Sequence, residues 1–211
     1  MQMKILNIPV LALVSSVFFT ANVTAQSINF KGWSAALGSS VVDGNLKIAD
    51  LNQGQSANLG RTKIVGTLDA SYSFPVNDKW VVGAGATYDL SSARVLDVVL
   101  LNGKVENHTS VYVQPTFLLT PSTGVFAKLG YHKAVLVGEG GLISQNSGFS
   151  ESIHGTGIGF GVKSYISNDV FVQFEMLSTK FKTKSVVLGD ASTPSKASLT
   201  SMNVSIGYQF N

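Results

Sequence analysis

Two residues of this chain, His108 and Ser110, are of the types used in nucleophilic catalysis, and they stand two positions apart. A histidine can take the proton of a nearby serine hydroxyl, and a carboxylate commonly orients that histidine. No Asp or Glu stands between Ser110 and Gly138, so the segment that follows supplies no such carboxylate. We therefore predict no catalytic residues and no enzyme, with an acyl hydrolase kept as the alternative.

The sequence offers equally little to a metal ion or a cofactor. Cysteine is absent, which excludes disulfides, thiol nucleophiles and thiolate metal ligands. His108 and His154 are possible ligands, but no third ligand stands at a recognisable spacing. Glycines alternate with other residues from Gly155 to Gly161, without the spacing or the following helix of a phosphate loop. We predict no metal and no cofactor.

Charge and composition narrow the class of protein. Charged residues make up 13% of the chain, its formal net charge is +3, and it contains 21 glycines. This basic surplus is too weak to indicate nucleic-acid binding. Few charges and many glycines are instead typical of alternating strands around a tightly packed interior.

The first 25 residues have the pattern of a secretory signal peptide. Lys4 gives a basic start, residues 5–19 are mostly apolar, and Val23 and Ala25 are the small residues that a signal peptidase reads. The apolar stretch is too short for a comfortable membrane span. We predict cleavage after Ala25, which makes 1–25 a signal peptide and 26–211 one domain.

Eight segments of the remaining chain alternate between apolar and polar or small residues, which places the two sets on opposite faces of a strand. The predicted strands cover about 30–42, 62–74, 80–90, 110–119, 125–137, 153–166, 170–181 and 199–210. Short connections fall near 75–79, 120–124 and 167–169, and long ones cover 43–61, 91–109, 138–152 and 183–196. An even number of strands with short turns at one end and long loops at the other is typical of outer-membrane barrels.

Aromatic residues gather at the two predicted rims, where amphipathic rings favour a membrane interface. The end with the short turns has Trp33, Phe74, Trp80, Tyr208 and Phe210, and the other end has Tyr88 and Tyr131. The last strand presents Val204, Ile206, Tyr208 and Phe210 on one face. This face resembles the C-terminal insertion signal of outer-membrane barrels, although here Asn211 follows the final aromatic.

Together, the cleavage site, the eight strands and the terminal signal resemble the small eight-stranded outer-membrane β-barrels. That group includes the outer-membrane-protein-A transmembrane domain and the opacity-type adhesins. The resemblance implies an all-β, antiparallel, up-and-down transmembrane barrel in the outer membrane of a Gram-negative bacterium, placed there by the barrel-insertion machinery. It implies a non-enzymatic role, either adhesion to a host or environmental ligand through the four long loops or reinforcement of the membrane.

Three alternatives remain at this point. The His-x-Ser at position 108 resembles that of lipid A deacylases, so the acyl hydrolase would be a lipid A-modifying enzyme. A narrow channel is the second alternative, and a periplasmic lipocalin-like binder is the third.

Strand parity sorts the charged residues between the two faces of the barrel wall. Four charges point inward, where an eight-stranded barrel is just wide enough to be filled by side chains; they are Asp69, Lys128, Lys163 and Glu175. Because buried charges must be paired, we predict ion pairs among them, surrounded by Phe126, His132, Tyr165 and Phe171. Four lysines point outward near the extracellular rim, where they could meet lipopolysaccharide phosphates; they are Lys133, Lys180, Lys182 and Lys184.

Three local features complete the predictions. Pro115 cannot donate to a strand ladder, which predicts a local bulge or irregularity there. The alternating glycines between Gly155 and Gly161 are expected to leave room for Phe126 and Tyr112. The second long loop is apolar, and its turn at 101–104 predicts a hairpin that rises above the membrane.

Overall fold

The computed structural model describes residues 30–49, 56–98, 101–139, 149–188 and 191–210. The predicted signal peptide and Asn211 lie outside these residues. Ten strands are present: β1 (Gly32–Ala49), β2 (Ser56–Pro75), β3 (Trp80–Asp89), β4 (Ala93–Val98), β5 (Leu101–Leu118), β6 (Thr123–Glu139), β7 (Phe149–Tyr165), β8 (Val170–Phe181), β9 (Lys184–Leu188) and β10 (Ala191–Phe210). Within the described ranges, the structure contains no helix of the length and apolarity that a membrane span requires.

The ten strands occupy eight positions around a closed barrel. β3 and β4 both pair with β5, and β8 and β9 both pair with β10, so each of these two pairs fills one position. β1 pairs with β10 and closes the sheet. All pairings are antiparallel. The predicted eight-stranded antiparallel barrel is therefore confirmed.

The strands are staggered, which tilts them within the barrel wall. A row of directly paired residues that starts at Trp33 on β1 crosses every position of the barrel. The row returns to β1 at Asp43, because Thr200 on β10 pairs with Asp43. A row of paired residues thus rises from the end with the short turns toward the other end as it passes from β1 to β2 and onward.

The wall has polar residues inside and apolar residues outside, the reverse of a soluble barrel. On β6, Leu129 is 58% exposed and the adjacent Lys128 only 5%. On β7, Ile158 is 67% exposed and Lys163 5%. Such a wall suits a hydrocarbon surrounding, where a closed sheet pairs its backbone groups between neighbouring strands.

The short connections, at 76–79, 119–122 and 166–169, lie at one end of the barrel. The first is held by Asn77, whose Oδ1 accepts hydrogen bonds from the backbone N–H groups of Lys79 and Trp80, each at 3.0 Å. Trp33 near the start of β1 pairs with Phe210 at the end of β10, so both ends of the described chain lie at this same end. In outer-membrane barrels this is the periplasmic end.

The predicted long loops are mostly strand, and their predicted bounds are wrong. β1 and β2 remain paired up to Ala49 and Ser56, inside the predicted loop 43–61. β6 and β7 remain paired up to Gly138 and Phe149, and β9 pairs with β10 inside the predicted loop 183–196. The strands continue because their inward side chains bury a further apolar core above the membrane.

That upper core contains residues from all eight positions. Its members are Val42, Val65, Ala93, Val105, Ala134, Leu136, Ile153, Phe181, Ala197 and Leu199. None of them is more than 5% exposed. The barrel wall therefore rises above the membrane as an extracellular extension with a folded interior of its own.

Two local predictions on β5 are right only in part. The pairing of β5 with β6 has the same register on both sides of Pro115, so no bulge lies there, but the ladder is interrupted at Gln114 and Pro115. A register shift lies instead between Glu106 and Thr109, where Asn107 has a φ of 49°. The predicted hairpin is present, but Leu101–Lys104 belongs to β5, and the chain reverses between Val98 and Leu101.

The glycines of β7 make room for side chains from neighbouring strands, but only partly as predicted. A Cβ on Gly161 would meet the Phe126 ring, as expected, whereas a Cβ on Gly157 would meet the imidazole of His132. The Tyr112 hydroxyl lies instead against Gly85 on β3.

Candidate functional site

A charged network crosses the middle of the barrel interior. Lys128 Nζ lies 2.5 Å from Glu175 Oε2 and 3.9 Å from Asp69 Oδ2. The Tyr112 hydroxyl donates to the Asp69 carboxylate, with distances of 2.9 and 2.7 Å to its two oxygens. Gln173 Nε2 donates to Glu175 Oε2 at 3.3 Å. The structure thus brings together three of the four predicted charges and adds Tyr112 and Gln173.

Lys163 is the predicted charge that stands apart. Among the described residues it has no carboxylate oxygen within 4.0 Å. Its Nζ lies 3.7 Å from the centroid of the Phe171 ring and 5.4 Å from that of Tyr165. A cation over an aromatic face is stabilised by the ring quadrupole, so this lysine has an aromatic rather than an ionic environment. The prediction of an ion pair for Lys163 is wrong for the part of the chain that is described.

A second polar cluster, of Asp89, His108 and His132, lies nearer the extracellular end. His108 Nδ1 lies 2.8 Å from Asp89 Oδ2, and His108 Nε2 lies 2.9 Å from His132 Nδ1. Because an ionised carboxylate only accepts, His108 donates from Nδ1 to Asp89, and a neutral His108 then accepts the N–H of His132 at Nε2. The two rings are nearly parallel, with an interplanar angle of 9° and centroids 5.1 Å apart.

Sequence reasoning missed Asp89 because the search for a carboxylate covered only the residues after Ser110. The structure does not complete a nucleophilic site, however. Ser110 Oγ is 2.6 Å from Thr87 Oγ1, while the Nε2 atom of His108 is bonded to His132. Ser110 and His108 are both buried inside the barrel, away from the outer wall.

The two histidines considered as metal ligands lie on opposite faces of the wall. His108 points into the interior, and His154 lies on the outer side next to Tyr131, with ring centroids 6.1 Å apart. The described residues contain no group of three His, Asp or Glu side chains placed to hold a metal ion.

Two apolar seals close the interior above and below the polar clusters. The upper seal is the core of the extracellular extension, and the lower one contains Phe30, Val81, Leu118, Tyr165 and Phe171. Beneath it, Gln209 accepts the Tyr165 hydroxyl at 2.7 Å and donates to the Lys31 carbonyl at 2.9 Å. A cavity of about 50 Å³ remains between the two polar clusters, lined in part by Asp69, Asp89 and Lys128. The interior holds a small enclosed space rather than a wide pore.

The predicted interface aromatics all lie on the outer face of the wall. Their exposed fractions lie between 44% and 63% and belong to Trp33, Phe74, Trp80, Tyr88, Tyr131, Tyr208 and Phe210. At the periplasmic rim, Trp33 packs edge-on against Tyr72 and Trp80 against Phe117, each with centroids 5.2 Å apart. Tyr72 and Phe117 were not in the predicted set.

The lysines of the extracellular rim and the C-terminal face also point outward. Lys133, Lys180 and Lys182 are exposed, and the side chain of Lys184 lies outside the described residues. Val204, Ile206, Tyr208 and Phe210 occupy the outer face of β10 and are 45–56% exposed.

The chain matches the outer membrane protein beta-barrel domain family over residues 10–210. It belongs to that family. The protein is therefore an outer-membrane β-barrel of a Gram-negative bacterium. This location excludes the soluble periplasmic binder. No curated protein matches the sequence.

Solved structures of other outer-membrane β-barrels share this fold. The attachment invasion locus protein of Yersinia pestis, Ail, matches with a TM-score of 0.54 and 14% identity over 85% of this chain and 99% of that one. A structure of Ail in complex with the heparin analogue sucrose octasulfate matches with a TM-score of 0.52 and 16% identity, over 85% of this chain and 99% of that one. The outer membrane protein OprG of Pseudomonas aeruginosa matches with a TM-score of 0.51 and 13% identity, over 90% of this chain and 100% of that one. At these identities the likeness establishes the fold alone.

Proposed function

We propose that this outer-membrane β-barrel is a non-enzymatic surface protein that binds a host or environmental ligand through its extracellular extension. The observation that carries the proposal is the upper apolar core. Strands that only spanned the membrane would end near the outward apolar residues Val41 and Ile64, whereas β1 and β2 stay paired up to Ala49 and Ser56 and the interior at this end is filled by the upper core. The extension therefore holds the ends of these strands away from the membrane, where a preformed surface lowers the entropy lost on binding.

The interior is proposed to be structural. Lys128, Glu175 and the two interior histidines are bonded to other interior side chains, and no described buried side-chain nitrogen or oxygen lacks a hydrogen-bond partner. Apolar seals cover both ends of this polar interior. These features favour a packed support over a channel. The lipid A-modifying hydrolase gains no support either, because Ser110 faces away from lipid and is bonded to Thr87.

The experiment replaces the tips, by which we mean the connecting residues 50–55 and 140–148, and leaves the paired strands intact. Removing all of 43–61 would delete paired residues of β1 and β2, from Asp43 and Arg61 upward. We would instead exchange 50–55, 140–148, or both, for short Gly-Ser linkers. Binding of whole cells that express each variant would be measured on immobilised extracellular-matrix proteins and on heparin, a probe suggested by the sulfated ligand in the Ail complex.

We expect the intact protein to confer binding and the tip exchanges to abolish it, while heat-dependent gel mobility shows the barrel still folded. An exchange of the periplasmic turn 166–169 is the matched control and should retain binding. Equal binding by cells with and without the protein on every surface would overturn the proposal and leave reinforcement of the membrane as the role.

Export and insertion are proposed to use the two ends of the sequence. Residues 1–25 would be removed as a signal peptide, so N-terminal sequencing of the outer-membrane protein should start at Gln26. The barrel-insertion machinery would read the outer face of β10. Phe210→Ala should therefore lower the amount of folded barrel in the membrane more than Phe174→Ala, which also removes an outward phenylalanine, from β8.

A further inference from the structure

A groove crosses the outer wall of the barrel over β2, β3, β5 and β6. Its volume is about 690 Å³, within the range of roughly 300–1,000 Å³ found for small-molecule sites. Ala70 and Ala86 are paired neighbours on β2 and β3, and their small side chains leave a depression in the outer surface of the wall. Tyr88 and Tyr131, both on the outer face, are also part of its lining.

The groove rises toward a lysine. One row of paired residues along it runs from Leu68 through Tyr88 and Thr109 to Lys133. Because rows of paired residues climb toward the extracellular end as they pass from β2 to β6, Lys133 stands at the upper end of the groove. The rim tyrosines lie just below Lys133: Tyr88 is two strands earlier in the same row, and Tyr131 is two positions lower on β6. The groove thus lies in the outer-leaflet half of the wall and ends at the level of the lipid headgroups.

Further cationic groups stand beside Lys133. Lys133 pairs with His154 on β7, and the backbone N–H of Lys182 donates to the carbonyl of His154 at 2.8 Å. Neighbouring strands lie about 4.8 Å apart, so these three outward side chains are rooted within about 10 Å of one another. The exposed Lys180 lies on the next outward position of β8. The three lysines, Lys133, Lys180 and Lys182, form a cationic row around His154 on the outer wall.

We propose that the groove binds one acyl chain of a lipopolysaccharide molecule, with a phosphate of its lipid A headgroup on Lys133 and the cationic row. The occupant follows from the location. The groove is apolar and faces the membrane, so hydrocarbon fills it, and the lipid of the outer leaflet carries phosphates at the height of Lys133. A lysine ammonium binds phosphate as a point charge. This site is distinct from the ligand-binding tips of the proposed function and is tested separately.

The test measures lipid binding to the purified, folded barrel by native mass spectrometry in detergent. The probes are lipid A, lipid A with its phosphates removed, and phosphatidylglycerol. Ala86→Leu and Ala70→Leu fill the groove, and Ala127→Leu is the matched control, because Ala127 is also exposed on the outer wall but does not line the groove. Lys133→Gln removes the charge, and Lys79→Gln, in a periplasmic turn, is its control.

We expect the groove-filling variants to bind both forms of lipid A about tenfold more weakly than the unaltered barrel. Lys133→Gln should weaken the binding of the phosphorylated form alone, by a similar factor. Using both alanines keeps the test valid if one variant folds poorly, which its heat-dependent gel mobility reveals. The proposal is overturned if Ala86→Leu and Ala70→Leu bind lipid A as Ala127→Leu does. It is also overturned if phosphatidylglycerol binds as tightly as lipid A, because the wall would then hold any anionic lipid.

Discussion

Lys128 and Glu175 form an ion pair between β6 and β8 that is almost completely removed from solvent. Isolated charges in such a place would be costly, and each of the two has a second contact that reduces the cost, Asp69 for Lys128 and Gln173 for Glu175. At the scale of single residues, the barrel interior is stabilised by buried ion pairs. The loss of one charged partner leaves the charge of the other buried without compensation.

Removing one charge should therefore be worse than removing both. Lys128→Met leaves Glu175 and Asp69 without their cation and should cost about 3–5 kcal/mol of unfolding free energy. The double variant Lys128→Met with Glu175→Gln should be more stable than the sum of its single changes predicts. Urea unfolding in lipid vesicles, followed by gel mobility, measures both. A Lys128→Met barrel as stable as the exposed-turn control Lys79→Met would contradict a structural role for the pair.

The contact between Gly157 and His132 gives a second test. A Cβ at Gly157 would meet only side chains, chiefly the imidazole of His132, so Gly157→Ala should cost about 1–3 kcal/mol. Adding His132→Ala should recover part of that loss in a double-mutant cycle. Gly155→Ala is the matched control, because its Cβ would meet the backbone of Lys180, which no side-chain truncation can relieve. Equal coupling of His132→Ala to both glycines would refute the steric explanation.

At the scale of the elements, the bulge of β5 decides which residues enter the interior. Above it Val105 is buried, and below it His108 is buried, although these positions are three apart and strict alternation would place them on opposite faces. The extra residue restores the inward direction on both sides. The bulge thus lets one strand contribute to both the upper core and the histidine cluster.

Asn107 in the bulge should tolerate glycine and reject a β-branched residue. Its φ of 49° lies in the left-handed region, which costs an ordinary side chain roughly 1–2 kcal/mol. We expect Asn107→Gly to keep or slightly raise stability and Asn107→Val to lower it by about that amount. Urea unfolding compares them with Thr109→Val, the matched control just beyond the register shift. A stable Asn107→Val would show that the bulge relaxes without strain.

At the scale of the whole molecule, the barrel is a wall with two apolar seals and a polar interior between them. The lower seal uses Phe30, a residue before β1, and the upper seal uses strands that continue above the membrane. A water-filled path would have to cross both seals, and the interior cavity of about 50 Å³ is lined by none of the residues of the lower seal.

Planar bilayers should therefore show no defined conductance steps when the folded protein is inserted. The folded fraction of the same preparation, measured by gel mobility without heating, shows that enough protein is present. A variant with both seals thinned, Phe30→Ala with Phe181→Ala, is the comparison for leakage. Reproducible single-channel steps from the unaltered protein would revive the narrow channel.

The sequence alone determined the barrel, its inward and outward faces and its location. Alternation with period two is a local property of the chain, so it survives without knowledge of any partner strand. It placed Lys128 and Glu175 inside, and Trp33 and Ile206 outside.

Only the tertiary structure decided which inward residues meet. Parity gives the direction of a side chain, whereas contact depends on the stagger between strands and on bulges, which are properties of the closed sheet. Asp89 thus reaches His108, while Lys163 faces Phe171 instead of a carboxylate. The same holds for the extracellular extension, because its core forms only when strands distant in sequence bring their apolar residues together above the membrane.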